Sequence, residues 1–193
     1  MATERDKMVT GELYDPRDPE LEAARARARG LLARLNAGAD PAGIERPALL
    51  RDLLGMVGAG SWIEPPFFCD YGTQITLGER VFFNFNCVVL DPAPVHIGDD
   101  VLIGPAVQLL TATHPLSAAQ RKEGLELGAP VTIEAGVWLG GGVIVCPGVR
   151  IGRGSVVGAG SVVTGDLPAA CSPSAIPAGS RATSMGPAPR LSP

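Results

Sequence analysis

Two kinds of apolar spacing divide the chain. Early on, "DPELEAARARARGLLARLN" places Leu21, Ala24, Ala28, Leu31, Leu32 and Leu35 at the three- and four-residue intervals of a helix face. Asp18 suits the N-cap of that helix, and Pro19 suits its first position, where no N–H is needed. "NAGADPAG" ends it, and a second helix is expected through Leu49, Leu50, Leu53, Leu54 and Val57 until "GAGS". Residues 1–60 therefore read as a helical segment. From Tyr71 the spacing changes. Written in sixes, the chain runs LGERVF, FNFNCV, VLDPAP and, after two extra residues, IGDDVL, IGPAVQ, LLTATH. The pattern stops at His114 and resumes at Ile133 as IEAGVW, LGGGVI, VCPGVR, IGRGSV, VGAGSV and VTGDLP.

The first place of these sixes holds Leu77, Phe83, Val89, Ile97, Ile103, Leu109, Ile133, Leu139, Val145, Ile151, Val157 and Val163, all apolar. The fifth place is small or β-branched nearly throughout, from Val81 and Cys87 to Ser155 and Ser161. Glycine is frequent at the second, as at Gly78, Gly98, Gly104, Gly140, Gly152 and Gly158. A period of six is neither the 3.6 of a helix nor the 2 of a strand. Short strands joined by tight corners satisfy it, with the first residue inward and the following glycine permitting the bend. Three sixes make a triangular coil that stacks about 4.8 Å from the next. The expectation is an all-β solenoid with a dry aliphatic core, over residues 61–169. The gap in the pattern becomes a loop, residues 115–131, extruded from it.

Composition fits a thin, repetitive interior: 46% hydrophobic residues but only 5% aromatic, with 25 glycines and 18 prolines for turns. One domain suits the 193 residues. A net charge of -4 without a Lys/Arg stripe argues against nucleic acid as a partner. No apolar leader and no run of 18 apolar residues are found, so the expected place is the cytoplasm and not a membrane. Cys69, Cys87, Cys146 and Cys171 lack CxxC spacing and the two histidines, His96 and His114, lie apart, so no metal site is expected.

"KMVTGELYDPRDPEL", "FFCDYGTQITLG", "FFNFNCVVLD", "TATHPL", "ELGAPVTI", "GVWLGGGVIVCPGVRIG" and "VVGAGSVVTGDLP" resemble the maltose, galactoside and nodulation-factor O-acetyltransferases. These are a branch of the hexapeptide-repeat acetyltransferases, and the resemblance runs from about residue 7 to about Ala169. It implies a left-handed parallel β-helix, an exception to the right-handed crossover rule, with a short α-helical N-terminal segment walling the acceptor site and one extruded loop. It also implies homotrimers with active sites between subunits, acetyl-CoA as donor, and a sugar or similar small alcohol as acceptor.

The resemblance makes His114 the general base, a task suited to imidazole. On residue type alone, a loop histidine bonded to a carbonyl is an equal reading. Asn84 matches an asparagine that contacts both reacting groups, although asparagine also suits corners. Gly141 matches a position whose backbone N–H faces the thioester carbonyl, and Trp138, Ala159 and Thr164 match the coenzyme's surroundings. Gly165 stands where the family usually has a lysine for the coenzyme's phosphates. Arg150 and Arg153 are the nearby cations, more simply read as a solvated pair. Asp15, Asp18 and Arg25 fall in the segment that walls the acceptor pocket, with Pro16 where one relative has an aspartate. Phe82 replaces a tyrosine. Cys87 and Cys146 have no neighbouring histidine, so an acetyl-cysteine intermediate is not expected.

Two other functions share the fold: N-acetylation of an amine, and an inactive β-helix scaffold or metal-binding module. Gamma-carbonic anhydrases carry zinc on three histidines, and two in the whole chain argue against that role. The tail departs from the family. Relatives follow "DLPA" with a stretch like "NSVAVGNPARVI", whereas this chain has "AACSPSAIPAGSRATSMGPAPRLSP". With G/C-rich codons, a shifted frame of Ala170 to Arg181 reads "VLAVGNPGRVA". Residues 170–193 are therefore expected to be a frameshifted tail, poorly packed if genuine.

Overall fold

A computed structural model describes residues 2–37 and 43–171. Helix α1 (Glu4–Thr10) is closed by a capping box between Thr3 and Asp6. Helix α2 (Pro19–Asn36) is capped by the Asp18 carboxylate, which accepts the Glu20 N–H at 2.9 Å, and buries Leu21, Ala28, Leu32 and Leu35. Helix α3 (Arg46–Leu53) buries Leu49, Leu50 and Leu53. It stops short of the expected end at Val57. Leu54 is extended, the Gly55 N–H donates to Ile75 O at 3.0 Å, and Val57 pairs with Leu77. The ladder offered by the next coil satisfies these backbone groups, so the chain leaves the helix for a strand. The solenoid thus begins inside the stretch whose spacing reads as helical.

Five coils follow. The first holds β1 (Met56–Val57), β2 (Trp62–Ile63) and β3 (Phe67–Cys69), the second β4 (Ile75–Leu77), β5 (Phe82–Phe83) and β6 (Cys87–Leu90). The third holds β7 (Val95–Ile97), β8 (Leu102–Ile103) and β9 (Gln108–Leu110). An extruded segment then carries β10 (Ala112–Thr113), α4 (Ala118–Lys122) and β11 (Leu127–Gly128). The fourth coil is β12 (Val131–Ile133), β13 (Trp138–Leu139) and β14 (Ile144–Val145). The fifth is β15 (Arg150–Ile151), β16 (Val156–Val157) and β17 (Val162–Val163). Every third strand pairs in parallel. Face one is β1-β4-β7-β12-β15, face two β2-β5-β8-β13-β16, and face three β3-β6-β9-β14-β17. The first-place residues are all buried, and so are the fifth-place residues from Val81 to Ser161 apart from Thr113, where the extruded segment begins. Ser155 and Ser161, polar in that core, donate to Pro168 O and Gly158 O at 2.9 and 2.7 Å.

The corners work differently from the sequence expectation. At corners one and two from Leu77 onward, the left-handed residue that turns the chain is the fourth of the six, as at Arg80, Asn86, Asp100, Ala106 and Gly142. The second-place glycines answer to stacking instead. A Cβ on Gly98, Gly104, Gly140 or Gly152 would lie 2.6, 2.7, 2.6 or 2.5 Å from the backbone nitrogen of Ala135, Gly141, Ala159 or Ala169 in the next coil. Corners one and two, which follow faces one and two, are six residues apart in every coil. Corner three, which leads back to face one, is wide. It takes eight residues from Cys69 to Leu77 and from Val89 to Ile97, and it releases the extruded segment after Leu109.

Past Ala169 the coil continues for two residues. The Ala170 N–H donates to Arg153 O and the Val156 N–H to Cys171 O, both at 2.8 Å, and Cys171 is buried. The rest of the expected frameshifted tail, residues 172–193, lies outside the described residues.

Candidate active site

Corner three carries a cavity of about 270 Å³ whose lining includes Arg25, Asp70, Tyr71, Ala112 and Glu126. The turn 70–74, Pro92 and strand β10 bring three successive coils to it, and α2 closes it with Arg25. Arg25 donates to Tyr71 Oη at 2.7 Å and to Pro16 O at 2.5 Å, and its guanidinium lies 5.6 Å from the Tyr71 ring centre. Tyr14 stitches the N-terminal segment to the extruded one. Its backbone exchanges two hydrogen bonds with Glu126, at 3.0 and 3.1 Å, and its hydroxyl donates to Glu126 Oε2 at 2.9 Å. Arg17 adds a bond to Glu123 O at 3.2 Å.

Burial raises the Asp70 carboxyl above its ordinary value, and Glu126 raises it further, while Arg25 and Arg29 oppose both. Burial, then Glu126, holds the Tyr14 hydroxyl protonated far above its usual range. The cavity thus presents carboxylate acceptors, a guanidinium and phenol hydroxyls to whatever enters, a donor and acceptor set suited to several hydroxyls at once.

His114 follows β10, two residues beyond Ala112 of the cavity lining. It is exposed, and its ring has no hydrogen-bond partner among the described residues, so no carbonyl holds it. Of the residues expected to wall the acceptor site, Arg25 lines the cavity. Asp15 instead pairs with Arg17 at 2.8 Å, and Asp18 is taken up capping α2. Phe82 points outward from face two. Asn84 sits at corner two, with Oδ1 accepting the Phe85 N–H at 2.8 Å.

Trp138 stands exposed on face two, and Gly141 and Ala159 stack beside it on corner two. Neither of their N–H groups donates a hydrogen bond among the described residues. At corner one the equivalent N–H groups of Glu79 and Arg153 are taken by the carboxylates of Asp99 and Glu134, at 2.8 and 2.7 Å. Corner two therefore keeps backbone donors open, of a kind that suits carbonyl groups. Thr164 and Gly165 are exposed on corner three, with open space around Gly165. Arg150 is paired with Glu134. Cys87 is fully buried and its thiol is pushed up to about 11 by that burial, so it offers no thiolate. Among the described residues no group of three His, Cys, Asp or Glu side chains could hold a metal ion.

Within one chain, face three separates Asn84, Gly141 and Ala159 from His114 and the cavity. Tyr14, Asp70, Tyr71 and Glu126 went unassigned by sequence reasoning. Tyr14 and Glu126 are 112 positions apart, and only their places in the family-like stretches "GELYD", "CDYG" and "ELGAPVTI" point toward the four residues.

A parallel solenoid of hexads with a helical lead-in defines a hexapeptide-repeat protein, and similarity to known proteins says which kind. Residues 7–58 match the maltose acetyltransferase hexapeptide capping motif, and residues 130–165 the six-repeat bacterial transferase hexapeptide model. Nodulation protein L of Rhizobium meliloti is 49% identical over 136 residues, covering 70% of this chain and 74% of that protein. The galactoside O-acetyltransferase of Escherichia coli is 37% identical, covering 84% and 80%. A maltose O-acetyltransferase from Clostridium difficile superposes with a TM-score of 0.87 at 42% identity, covering 89% and 91%. A hexapeptide-repeat acetyltransferase from Vibrio cholerae, complexed with acetyl-CoA, gives 0.82 at 43%, covering 89% and 92%. The chain belongs to the hexapeptide-repeat acetyltransferases, in their maltose, galactoside and nodulation branch, and is an acetyltransferase using acetyl-CoA. Among the described residues no helix is long and apolar enough to cross a membrane.

Proposed function

We propose that the chain moves acetyl from acetyl-CoA directly to a hydroxyl of a sugar, or similar small polyol, seated in the corner-three cavity. The observation that carries this reading is the free imidazole of His114 beside a cavity lined by carboxylates, Arg25 and tyrosines. In the proposed step His114 takes the proton of the acceptor hydroxyl as its oxygen attacks the thioester carbonyl carbon. The developing oxyanion is met by the Gly141 N–H. The carbon–sulfur bond then breaks, and the proton on His114 passes to the departing thiolate. Asn84 orients the reacting groups, and Trp138, Ala159, Thr164 and Gly165 flank the coenzyme.

Asn84 and Gly141 lie across face three from His114, so a complete site takes His114 from one copy and corner two from another. The surface supports a trimer of that kind. Face two presents Phe82, Leu102 and Trp138 outward and face three Phe68, Ile144 and Val162 around Gln108, whereas face one, after Met56 at its first strand, presents Thr76, His96, Thr132 and Arg150. A solenoid with two apolar faces and one polar face suits a closed three-fold ring in which face two meets face three. Four unpaired cysteines favour a reducing compartment, the cytoplasm. The test is thiol release from acetyl-CoA with a panel of sugars and amino sugars, for the parent and for His114→Ala. Turnover should fall by roughly 10²–10⁴-fold in the variant. Activity within a few-fold of the parent would remove His114 from the role of base, and transfer to amines alone would favour an N-acetyltransferase.

A further inference from the structure

The widening of corner three needs a physical device. At the six-residue corners the third-place N–H either meets a carboxylate of a neighbouring coil, as at Glu79 and Arg153, or stays open, as at Gly141 and Ala159. The two eight-residue corners each have two extra residues, and the N–H groups of their buried positions, such as Tyr71 and Ala93, need partners within the protein. Two buried polar side chains supply them. Asp91, at corner three of the second coil, is 0% exposed. Its Oδ1 accepts the N–H groups of Asp70 and Tyr71, at 3.0 and 2.9 Å, and its Oδ2 that of Gln74 at 3.4 Å, all in the turn of the first coil. Thr111, one coil further on and also fully buried, does the same for the second coil. Its hydroxyl donates to Leu90 O at 2.8 Å and accepts the Ala93 N–H at 3.0 Å.

The residues held this way shape the cavity. Asp70 and Tyr71 line it, and Tyr71 is the acceptor that keeps Arg25 aimed across it. Pro92 belongs to the corner that Thr111 fastens, and Ala112 follows Thr111 directly. We propose that Asp91 is a positioning residue for the acceptor: its buried carboxylate, seconded by Thr111, holds corner three open so that Asp70 and Tyr71 face Arg25 across the cavity. A carboxyl group suits this task because its two oxygens together accept from three backbone donors of one turn. The inference rests on the cavity being the acceptor site proposed above.

The test is Asp91→Asn in the full chain, read in two independent ways. In steady-state transfer to maltose or methyl β-galactoside, the acceptor KM should rise about tenfold or more, with kcat and the acetyl-CoA KM held within about twofold. In hydrogen–deuterium exchange read by mass spectrometry, the peptide covering residues 68–75 should lose protection while strands of the fourth coil keep theirs. Unchanged protection at 68–75, or an equal fall in kcat and in kcat/KM without a KM effect, overturns the proposal. If the parent transfers no acetyl to either sugar, the acceptor reading is at fault, and the exchange arm still decides whether Asp91 holds the turn. Should Asp91→Asn fail to fold, Thr111→Val against Thr111→Ser serves instead. The valine should raise the acceptor KM and expose the Ala93 amide, and the serine should restore both. Identical behaviour of the two overturns the proposal.

Discussion

Replacing Gly140 by alanine puts a methyl carbon 2.6 Å from the Ala159 nitrogen, 2.9 Å from its Cα and 3.1 Å from the Gly158 carbonyl carbon. All three are backbone atoms of the next coil, so no side chain can swing away. The fifth coil must lift from the fourth, stretching the bonds from Gly140 N–H to Val157 O at 2.8 Å and from Trp138 N–H to Ser155 O at 2.9 Å. Overpacking of this kind costs about 1–3 kcal/mol, and two weakened ladder bonds add about 1 kcal/mol, so a loss of about 3 kcal/mol is expected. Two other glycines calibrate the value. Gly154 has φ +68 and nothing within 4 Å of a Cβ, so Gly154→Ala meets only the left-handed backbone, about 1–2 kcal/mol. Gly30 lies inside α2 with open space around it, so Gly30→Ala should stabilise by about 0.5–1 kcal/mol. Urea unfolding of the four proteins at one concentration, followed by circular dichroism, gives the ranking. A Gly140→Ala variant as stable as Gly154→Ala would mean that second-place glycines do not serve coil stacking.

Three further outcomes are expected. Leu102 is half exposed in the middle of face two, so Leu102→Glu should shift sedimentation from trimer to monomer and abolish transfer, and an active trimer would refute the shared-site reading. Gly165 has open space around it, so Gly165→Lys should tighten acetyl-CoA binding with a gain that shrinks as salt is added; no gain at low salt would show that other cations already hold the phosphates. Burial raises the Asp91 carboxyl from 3.8 to about 7. A carboxyl with a raised folded-state pKa favours the fold most below its unfolded value and loses that contribution as pH rises toward 7. The stability of the parent relative to Asp91→Asn should therefore fall by up to about 4 kcal/mol between pH 4 and pH 8, and a pH-independent gap in urea unfolding would show that the carboxyl is not perturbed.

The solenoid was legible because one repeated requirement, an aliphatic residue pointing inward at every sixth position, leaves its mark in order along the chain. Leu77, Val89, Ile103 and Leu139 needed no partner to be recognised. Val57 was misread because the four leucines before it, Leu49, Leu50, Leu53 and Leu54, continue a helical spacing, and the ladder that claims it is built by Leu77, twenty positions on. The cavity was illegible for a different reason. Tyr14, Arg25, Asp70 and Glu126 come from a connecting segment, a helix, a corner and an extruded segment, and no periodicity links them.

Corner residues show how a correct pattern can carry the wrong cause. The recurring second-place glycine reads as a hinge, yet the residues at left-handed φ include Arg80, Asp100 and Ala106. At corners one and two the coils approach until a Cβ would lie within 2.7 Å of a backbone nitrogen of the next coil, and glycine is the residue that allows it. That closeness leaves no depth for a ligand between coils. Corner three escapes it by carrying two extra residues in the first and second coils and the whole extruded segment after the third, and its backbone polarity there is met by Asp91 and Thr111 instead of by close stacking. Side chains that stand in for coil-to-coil bonds leave the corner wide enough for a cavity. The two residues that spoil the hexad count before Ile97 are therefore the sequence's mark of where a pocket has room to form.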